Sequence, residues 1–171
     1  MRRVSLIVIL VCPLFLIQFA HADSFTFQTM PVNGGIWGSP GEKIGWGYSI
    51  VNESQTLWLV TMGLDADPFL DASPSSLFDF PIVAPGAQAE LPYDGSNGFG
   101  LYEITWDQTA LIGFVNSGNF GISAWWYDPL TGEYSDAGEV YAPYSATVVP
   151  EPSTLIFLTV GLAGVLWRRR R

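Results

Sequence analysis

The sequence predicts an all-β protein in which one antiparallel β-sandwich lies between two apolar ends. Three features of the middle of the chain favour this class. Short segments alternate apolar residues with small or polar ones, which is the period of a strand. Clusters of Gly, Pro, Asn, Asp and Ser recur at intervals of roughly 8–12 residues. No segment of the middle keeps a helical period.

The N-terminal end has the layout of a secretory signal peptide. Arginines follow the first methionine, residues 4–19 are almost wholly apolar, and Ala20 and Ala22 occupy the small-x-small positions of the cleavage rule. This pattern predicts a signal helix within residues 1–22 and a mature chain that begins at Asp23.

The clearest strand of the middle is KIGWGYSIV, in which Ile44, Trp46, Tyr48 and Ile50 fall on one face. The other segments that predict strands are SFTFQTM, TLWLVTM, LFDFPIV, AQAELPY, FGLYEITW, NFGISAWWYD and EYSDAGEVYAPYSATVV. With the short segment DQTALIGFV the total is about seven to nine strands. Pro81 predicts an edge or a bulge for its segment. The segments VNGGIWGSPGE and DGSNG predict turns, and DADPFLDASPSS predicts an acidic loop.

The order of GWGYSIVNES and, later, FPIVAPGAQAEL resembles that of bacterial immunoglobulin-like modules. A polar turn divides two strands in such modules, and a Pro-Gly turn opens a later strand. The resemblance implies an immunoglobulin- or fibronectin-like sandwich over residues 23–147. A jelly roll is the alternative architecture.

Charge is distributed unevenly along the chain. All six arginines lie in the two ends, and residues 23–149 contain nine Asp and six Glu against the single lysine, Lys43. Fifteen carboxylates and one ammonium give this region a net charge of −14. Such an acidic surface repels nucleic acid, so no nucleic-acid partner is expected.

Cysteine and histidine are restricted to the predicted leader, where Cys12 and His21 are the only examples. The mature domain therefore has no internal disulfide, no thiolate or imidazole metal ligand and no Ser-His-Asp triad. We expect no cofactor and no enzymatic activity. A glycoside hydrolase that works with a pair of carboxylates is the remaining catalytic alternative, although no spacing identifies such a pair.

Aromatic residues are the most prominent candidates for a binding surface. Six of the seven tryptophans fall between residues 23 and 149. Strand alternation places Trp125 and Trp126 on opposite faces, so at most one of the two belongs to a sandwich core. The other is a candidate ligand-facing aromatic, because exposed rings can stack on the apolar faces of sugars. A carbohydrate-binding module is therefore an alternative function, beside core packing for most of these rings.

Two polar motifs have simpler interpretations than a site. Asp65, Asp67 and Asp71 offer oxygen ligands that suit calcium, but the pattern of an EF-hand loop is absent. They are a weak calcium candidate, and a solvated acidic loop is the alternative. Asn52-Glu53-Ser54 matches the N-glycosylation triplet and is interpreted as a hairpin turn.

The C-terminal end combines three elements in order. Pro150-Glu151-Pro152 predicts an extended, exposed segment, because proline lacks the N–H donor and disfavours helix before it. Residues 154–167 form an apolar run of fourteen residues, short for a bilayer that normally takes about 20. The cluster Arg168, Arg169, Arg170 and Arg171 follows, and basic residues favour the cytoplasmic side. The sequence therefore predicts one transmembrane helix, with the domain outside the inner membrane.

These elements, over residues 148–171, resemble the PEP-CTERM sorting tail of Gram-negative bacteria. The resemblance implies that the partner is an exosortase, an integral membrane enzyme, which cuts near Pro150-Glu151-Pro152. It also implies transient anchoring on the periplasmic side of the inner membrane, followed by transfer to the cell surface or the medium. Proteins with this tail are associated with exopolysaccharide, so we expect a structural or adhesive role in biofilm matrix, with exopolysaccharide as a possible partner.

Overall fold

The computed structural model describes residues 23–151, and it is all-β. The predicted signal helix and transmembrane helix lie outside the described residues. Between Asp23 and Glu151 no helix is long and apolar enough to cross a bilayer. The ten strands of this region are β1 (Phe25–Met30), β2 (Gly35–Gly38), β3 (Lys43–Asn52), β4 (Trp58–Ala66), β5 (Ala72–Ser76), β6 (Ile82–Val83), β7 (Gln88–Leu91), β8 (Tyr102–Trp106), β9 (Val115–Tyr127) and β10 (Tyr134–Val148).

The strands form two five-stranded sheets. The first sheet has the order β1-β3-β8-β5, with β7 also paired to β3, and the second has the order β2-β10-β9-β4-β6. Ring contacts join the sheets: the Trp46 centroid of β3 lies 5.2 Å from Phe120 of β9 and 5.4 Å from Tyr144 of β10. The inner faces therefore share one aromatic core, which replaces the disulfide that the domain lacks.

Strand β3 confirms the period-two prediction. Ile44, Trp46, Tyr48 and Ile50 are all buried, as their common face requires. Trp46 is fully enclosed, and its indole N–H donates to the carbonyl of Gly34 at 2.7 Å. A buried indole of this size adds apolar burial without leaving a polar group unpaired.

The prediction of purely antiparallel pairing is wrong at one place. Strand β2, in a segment predicted as turn, pairs in parallel with β10. A tight turn, in which Glu42 N–H donates to the Ser39 carbonyl at 2.9 Å, carries the chain from β2 in the second sheet to β3 in the first. Because β2 and β3 do not form a hairpin, one edge of β2 is free to pair with β10.

The acidic segment after β4 is also more regular than predicted. Strand β4 continues to Ala66, and β5 occupies residues 72–76 of the predicted loop. Pro74 is tolerated within β5 because this strand lies at the edge of the first sheet. The segment LFDFPIV contributes only the two residues of β6, also an edge strand.

Asn52 organises the turn between β3 and β4, where a turn was predicted. Its side-chain N–H group donates to the carbonyls of Leu57, Val83 and Ala84 at 2.8–3.1 Å, and its oxygen accepts from Ser54 N–H at 2.9 Å. The residue is fully buried. The amide is therefore a structural link between this turn and β6, and the fold leaves it inaccessible to a glycosyl donor.

Candidate functional site

The outer face of the second sheet carries the largest group of exposed aromatic side chains in the described part of the chain. Register places Trp58, Tyr127 and Tyr134 side by side across β4, β9 and β10. The next outward row contains Ile82, Val60 and Trp125. We call these six residues the outer aromatic face: Trp58, Val60, Ile82, Trp125, Tyr127 and Tyr134.

The rings of this face contact one another. Tyr134 lies 4.9 Å from Tyr127 and 6.3 Å from Trp125, measured between ring centroids. Trp125 is 45% exposed, and Tyr134 is exposed as well. Each ring is thus partly held by its neighbours while one side remains open to solvent, which is an arrangement suited to stacking on a ligand.

Small residues form a flat floor next to the rings. The row after Trp125 pairs Gly63 with Ser123, and the following row pairs Asp65 with Gly121. A Cβ added to Gly63 would lie 2.6 Å from Ser123 Oγ. A side chain at position 63 would therefore have to displace the Ser123 hydroxyl, and with glycine there this part of β4 presents no side chain to the face.

Tyr141 borders this floor of small residues on the β10 side. The ring of Tyr141 lies across Gly121, because a Cβ there would be 2.8 Å from the ring. The Tyr141 hydroxyl donates to Glu139 Oε2 at 2.6 Å. This hydrogen bond raises the pKa of Tyr141, with further contributions from desolvation and from the negative charges of Glu139, Asp65 and Asp67.

Two β-bulges bring these groups to one face. In β10 the register shifts between Asp136 and Gly138, so Tyr134 and Tyr141 point the same way although they are seven residues apart. In β4 the shift between Thr61 and Gly63 does the same for Trp58 and Asp65. Sequence reasoning missed this set, because a period of two changes phase at each bulge. Gly138, with φ of +83°, is the signal that marks the bulge in β10.

Trp125 and Trp126 lie on opposite faces, as alternation predicted. Trp126 is only 6% exposed and its ring meets Phe25 of the first sheet at 6.2 Å. Trp126 is therefore part of the core and is removed from the candidate ligand-facing residues. Trp125 alone of the pair belongs to the outer aromatic face.

The three aspartates of the weak calcium candidate serve different contacts. Asp65 lies on the outer face, Asp67 Oδ2 accepts from Asn119 N–H at 2.8 Å, and the Asp71 carbonyl accepts from Asp107 N–H at 2.9 Å. Within residues 23–151, no three side chains of His, Cys, Asp or Glu are gathered in a way that could hold a metal ion. In the described residues these three carboxylates do not form one cluster.

The predicted processing residues lie at the end of the described region. Strand β10 ends at Val148, and Val149 N–H still donates to the Gly38 carbonyl at 2.9 Å. Pro150 and Glu151 follow directly. Pro152 and the cluster Arg168–Arg171 lie outside the described residues, as do Ala20 and Ala22 at the other end. Asp23 is exposed just before β1.

Comparison with known proteins identifies the C-terminal segment. The model of the PEP-CTERM protein-sorting motif matches residues 148–171, which confirms the resemblance expected from the sequence. The motif implies export, recognition by an exosortase and membrane-associated sorting before release. No curated protein matches the chain.

Proposed function

We propose that this exosortase-sorted protein is a non-catalytic adhesive component of the extracellular matrix, which binds polysaccharide through its outer aromatic face. The observation that carries the proposal is the row of Trp58, Tyr127 and Tyr134 beside the half-exposed Trp125, on the sheet that ends in the sorting tail. In this view residues 23–147 are one β-sandwich ectodomain delivered to the cell surface.

The physical basis is the match between an aromatic ring and the apolar C–H side of a sugar ring. Each contact buries hydrocarbon from both partners, and the polar rim of the sugar remains free for hydrogen bonds. Ser123 and Tyr141 supply hydroxyl groups beside the rings. From Trp125 to Gly121 the strand rises about 14 Å, at roughly 3.4 Å per residue, which suits an extended chain better than a small solute.

The negative charge of the outer face restricts the class of polysaccharide that can bind. Asp65, Asp136 and Glu139 lie on the same outer face as the aromatic rings. Lys43, the only lysine, belongs to the other sheet and pairs with Glu103 at 2.8 Å. A polymer rich in uronic acids would be repelled by these carboxylates, so we propose a neutral or amino-sugar polysaccharide as the ligand.

A binding role fits the composition of the face better than hydrolysis. The buried carboxylate of the described region, Glu103, accepts from Lys43 and from the Tyr93 hydroxyl on the first sheet, away from the aromatic rings. Among residues 23–151, no buried acid lies on the outer aromatic face. A general acid for glycoside cleavage normally depends on burial that raises the pKa of a carboxyl.

The test is binding of the mature protein, recovered from the producing cells, to immobilised neutral, amino-sugar and uronic-acid polysaccharides. We expect retention on the first two classes, and Trp125→Ala to weaken it by roughly tenfold, equivalent to about 1.4 kcal/mol. Gln28→Ala is the matched control, because Gln28 is exposed on the outer face of the first sheet.

Two results would contradict the proposal. Equal retention of the Trp125→Ala and wild-type proteins would remove the outer aromatic face as the binding surface. Release of shortened oligosaccharides that a single Asp or Glu substitution abolishes would replace adhesion with hydrolysis.

A further inference from the structure

A separate group of exposed apolar side chains surrounds the point at which the chain leaves the domain. Four of them are between 62% and 74% exposed, and Val115 is 47% exposed. We call this group the exit-end patch, and its members are Trp37, Leu70, Leu111, Ile112 and Val115. None of them belongs to the outer aromatic face.

Backbone contacts show that these residues gather at the end of β10. Trp37 pairs with Thr147, which on its other side pairs with Val115, so the three form one row across β2, β10 and β9. With neighbouring strands about 4.8 Å apart, this row spans about 10 Å.

The turn that carries Leu111 and Ile112 is fixed directly to the last residue of β10. Gly113 N–H donates to the Val148 carbonyl, and Val148 N–H donates to the Phe114 carbonyl, both at 2.9 Å. Leu70 is held at the same end by the Asn116 side chain. The Leu70 N–H donates to Asn116 Oδ1 at 3.0 Å, and Asn116 Nδ2 donates to the Leu70 carbonyl at 2.7 Å. Rigid backbone contacts thus present several apolar side chains to solvent.

The opposite end of the molecule has a different surface. Its turns contain Glu53, Asp128, Glu133 and the 93% exposed Leu130, and the row of Trp58, Tyr127 and Tyr134 begins beside them. Strand β9, which runs between the two ends, has 13 residues and is about 40 Å long. Exposed apolar residues therefore occur at both ends of the second sheet, and the exit-end patch is the group beside which the tail leaves the domain.

The short connection to the tail determines what this end faces. Val149 is still hydrogen-bonded to Gly38, and five residues later Thr154 begins the apolar run of the sorting motif. Five extended residues reach at most about 18 Å. We propose that, before release, the exit-end patch lies in the interface of the inner membrane, so that the domain stands on the bilayer with Pro150 and Glu151 at the membrane surface.

The acidic residues at this end define the lipid. Glu42, Asp71 and Asp107 are exposed near the patch, and the surface of an anionic leaflet would repel them. Trp37 and the aliphatic side chains need only apolar contact at the level of the headgroups. The expected surface is therefore zwitterionic, and anionic lipid should weaken the contact.

The test uses the full chain in phosphatidylcholine vesicles, with Cys12→Ser as background, since Cys12 is the only native cysteine. An environment-sensitive fluorophore is placed at Leu111→Cys or, as the control, at Leu130→Cys. We expect blue-shifted emission and quenching by doxyl-labelled lipid at position 111, and neither at position 130. The quenching at position 111 should fall when phosphatidylglycerol is included.

Further outcomes show whether lipid or a second copy of the chain covers the exit-end patch. Equal quenching at positions 111 and 130, or at neither, would overturn the upright arrangement. A blue shift at position 111 that grows with protein density and resists lipid quenching would assign the patch to a second copy of the chain. In the Trp37→Ser/Ile112→Ser double variant, reduced quenching of the position 111 label would support lipid contact. Unchanged quenching would show that the tail alone places the label near the bilayer, and would overturn it.

Discussion

The outer faces of the two five-stranded sheets carry different side chains. The first sheet presents mainly hydroxyl and amide groups in its outward rows, including Thr26, Gln28, Ser49 and Gln88. The second sheet presents tryptophan and tyrosine in the corresponding position. A solvent-facing strand surface needs only polar residues for stability, so the aromatic side chains of the second face call for a functional explanation.

The largest expected effect is a difference in the free energy of unfolding between variants of the two neighbouring tryptophans. Trp126→Ala should lower the free energy of unfolding by about 3–5 kcal/mol, because it leaves a cavity between the sheets. Trp125→Ala should cost much less, since its ring lies on the outer face. Urea denaturation of both variants measures the difference. A similar loss in both would show that the outer aromatic face is itself structural, and the contrast between the faces would lose its meaning.

The second effect concerns the glycine floor. In Gly121→Ala the added Cβ displaces the Tyr141 ring and Glu139 Oε1, which lie 2.8 Å from it. Because both neighbours are side-chain atoms that can move, the stability change should stay within about 1 kcal/mol. Binding to neutral polysaccharide should fall several-fold. The matched control is Ser49→Ala on the first face, because Gly98→Ala would strain a backbone whose φ is +72°. An equal loss of polysaccharide binding in Ser49→Ala would contradict the prediction.

A smaller effect is expected on the first face. Lys43→Met removes the ion pair with Glu103, and Lys43 is about half exposed, so solvent screening limits the loss to about 1 kcal/mol or less. Polysaccharide binding should not change, because this pair lies on the opposite sheet. A parallel measurement of urea midpoint and binding checks both statements. Weakened binding in this variant would extend the site to the first sheet.

The smallest effect is a pH dependence from the core. Burial, followed by the charge of Asp67 and by Tyr102, raises the pKa of Tyr144 from 10.0 to about 12. A raised folded-state pKa stabilises the fold fully below pH 10, and this contribution is lost as pH rises from about 10 towards 12. Thermal unfolding across that range should show a shallower decline for Tyr144→Phe than for the wild type. A slope unchanged by the substitution would contradict the assignment.

The sequence predicted the parts of the fold that depend on local alternation. The buried face of β3 and the separation of Trp125 from Trp126 follow from a period of two, which no distant contact alters. The tail was also predictable, because Pro-Glu-Pro, the apolar run and the arginines are contiguous. The parallel pairing of β2 with β10 was not, since it depends on residues more than one hundred positions apart.

The candidate site was predicted only in part for a similar reason. Trp125 could be identified as a possible exposed ring, whereas its partners Trp58 and Tyr134 depend on register across three strands. The bulges near Met62 and Ala137 reverse the alternation within single strands. Strict alternation counted from one end of β4 or β10 therefore places the residues beyond the bulge on the wrong face.

The position of β10 has a mechanical consequence for a protein held by its C-terminus. The strand lies between β9 and β2, and its hydrogen bonds to both run across its length, perpendicular to it in the antiparallel pair with β9 and slanted in the parallel pair with β2. Tension on the tail therefore acts along the strand and loads these bonds together in shear, instead of opening them one after another. If the matrix holds the outer aromatic face, the load passes from β10 to β9 within one sheet, and the first sheet carries little of it.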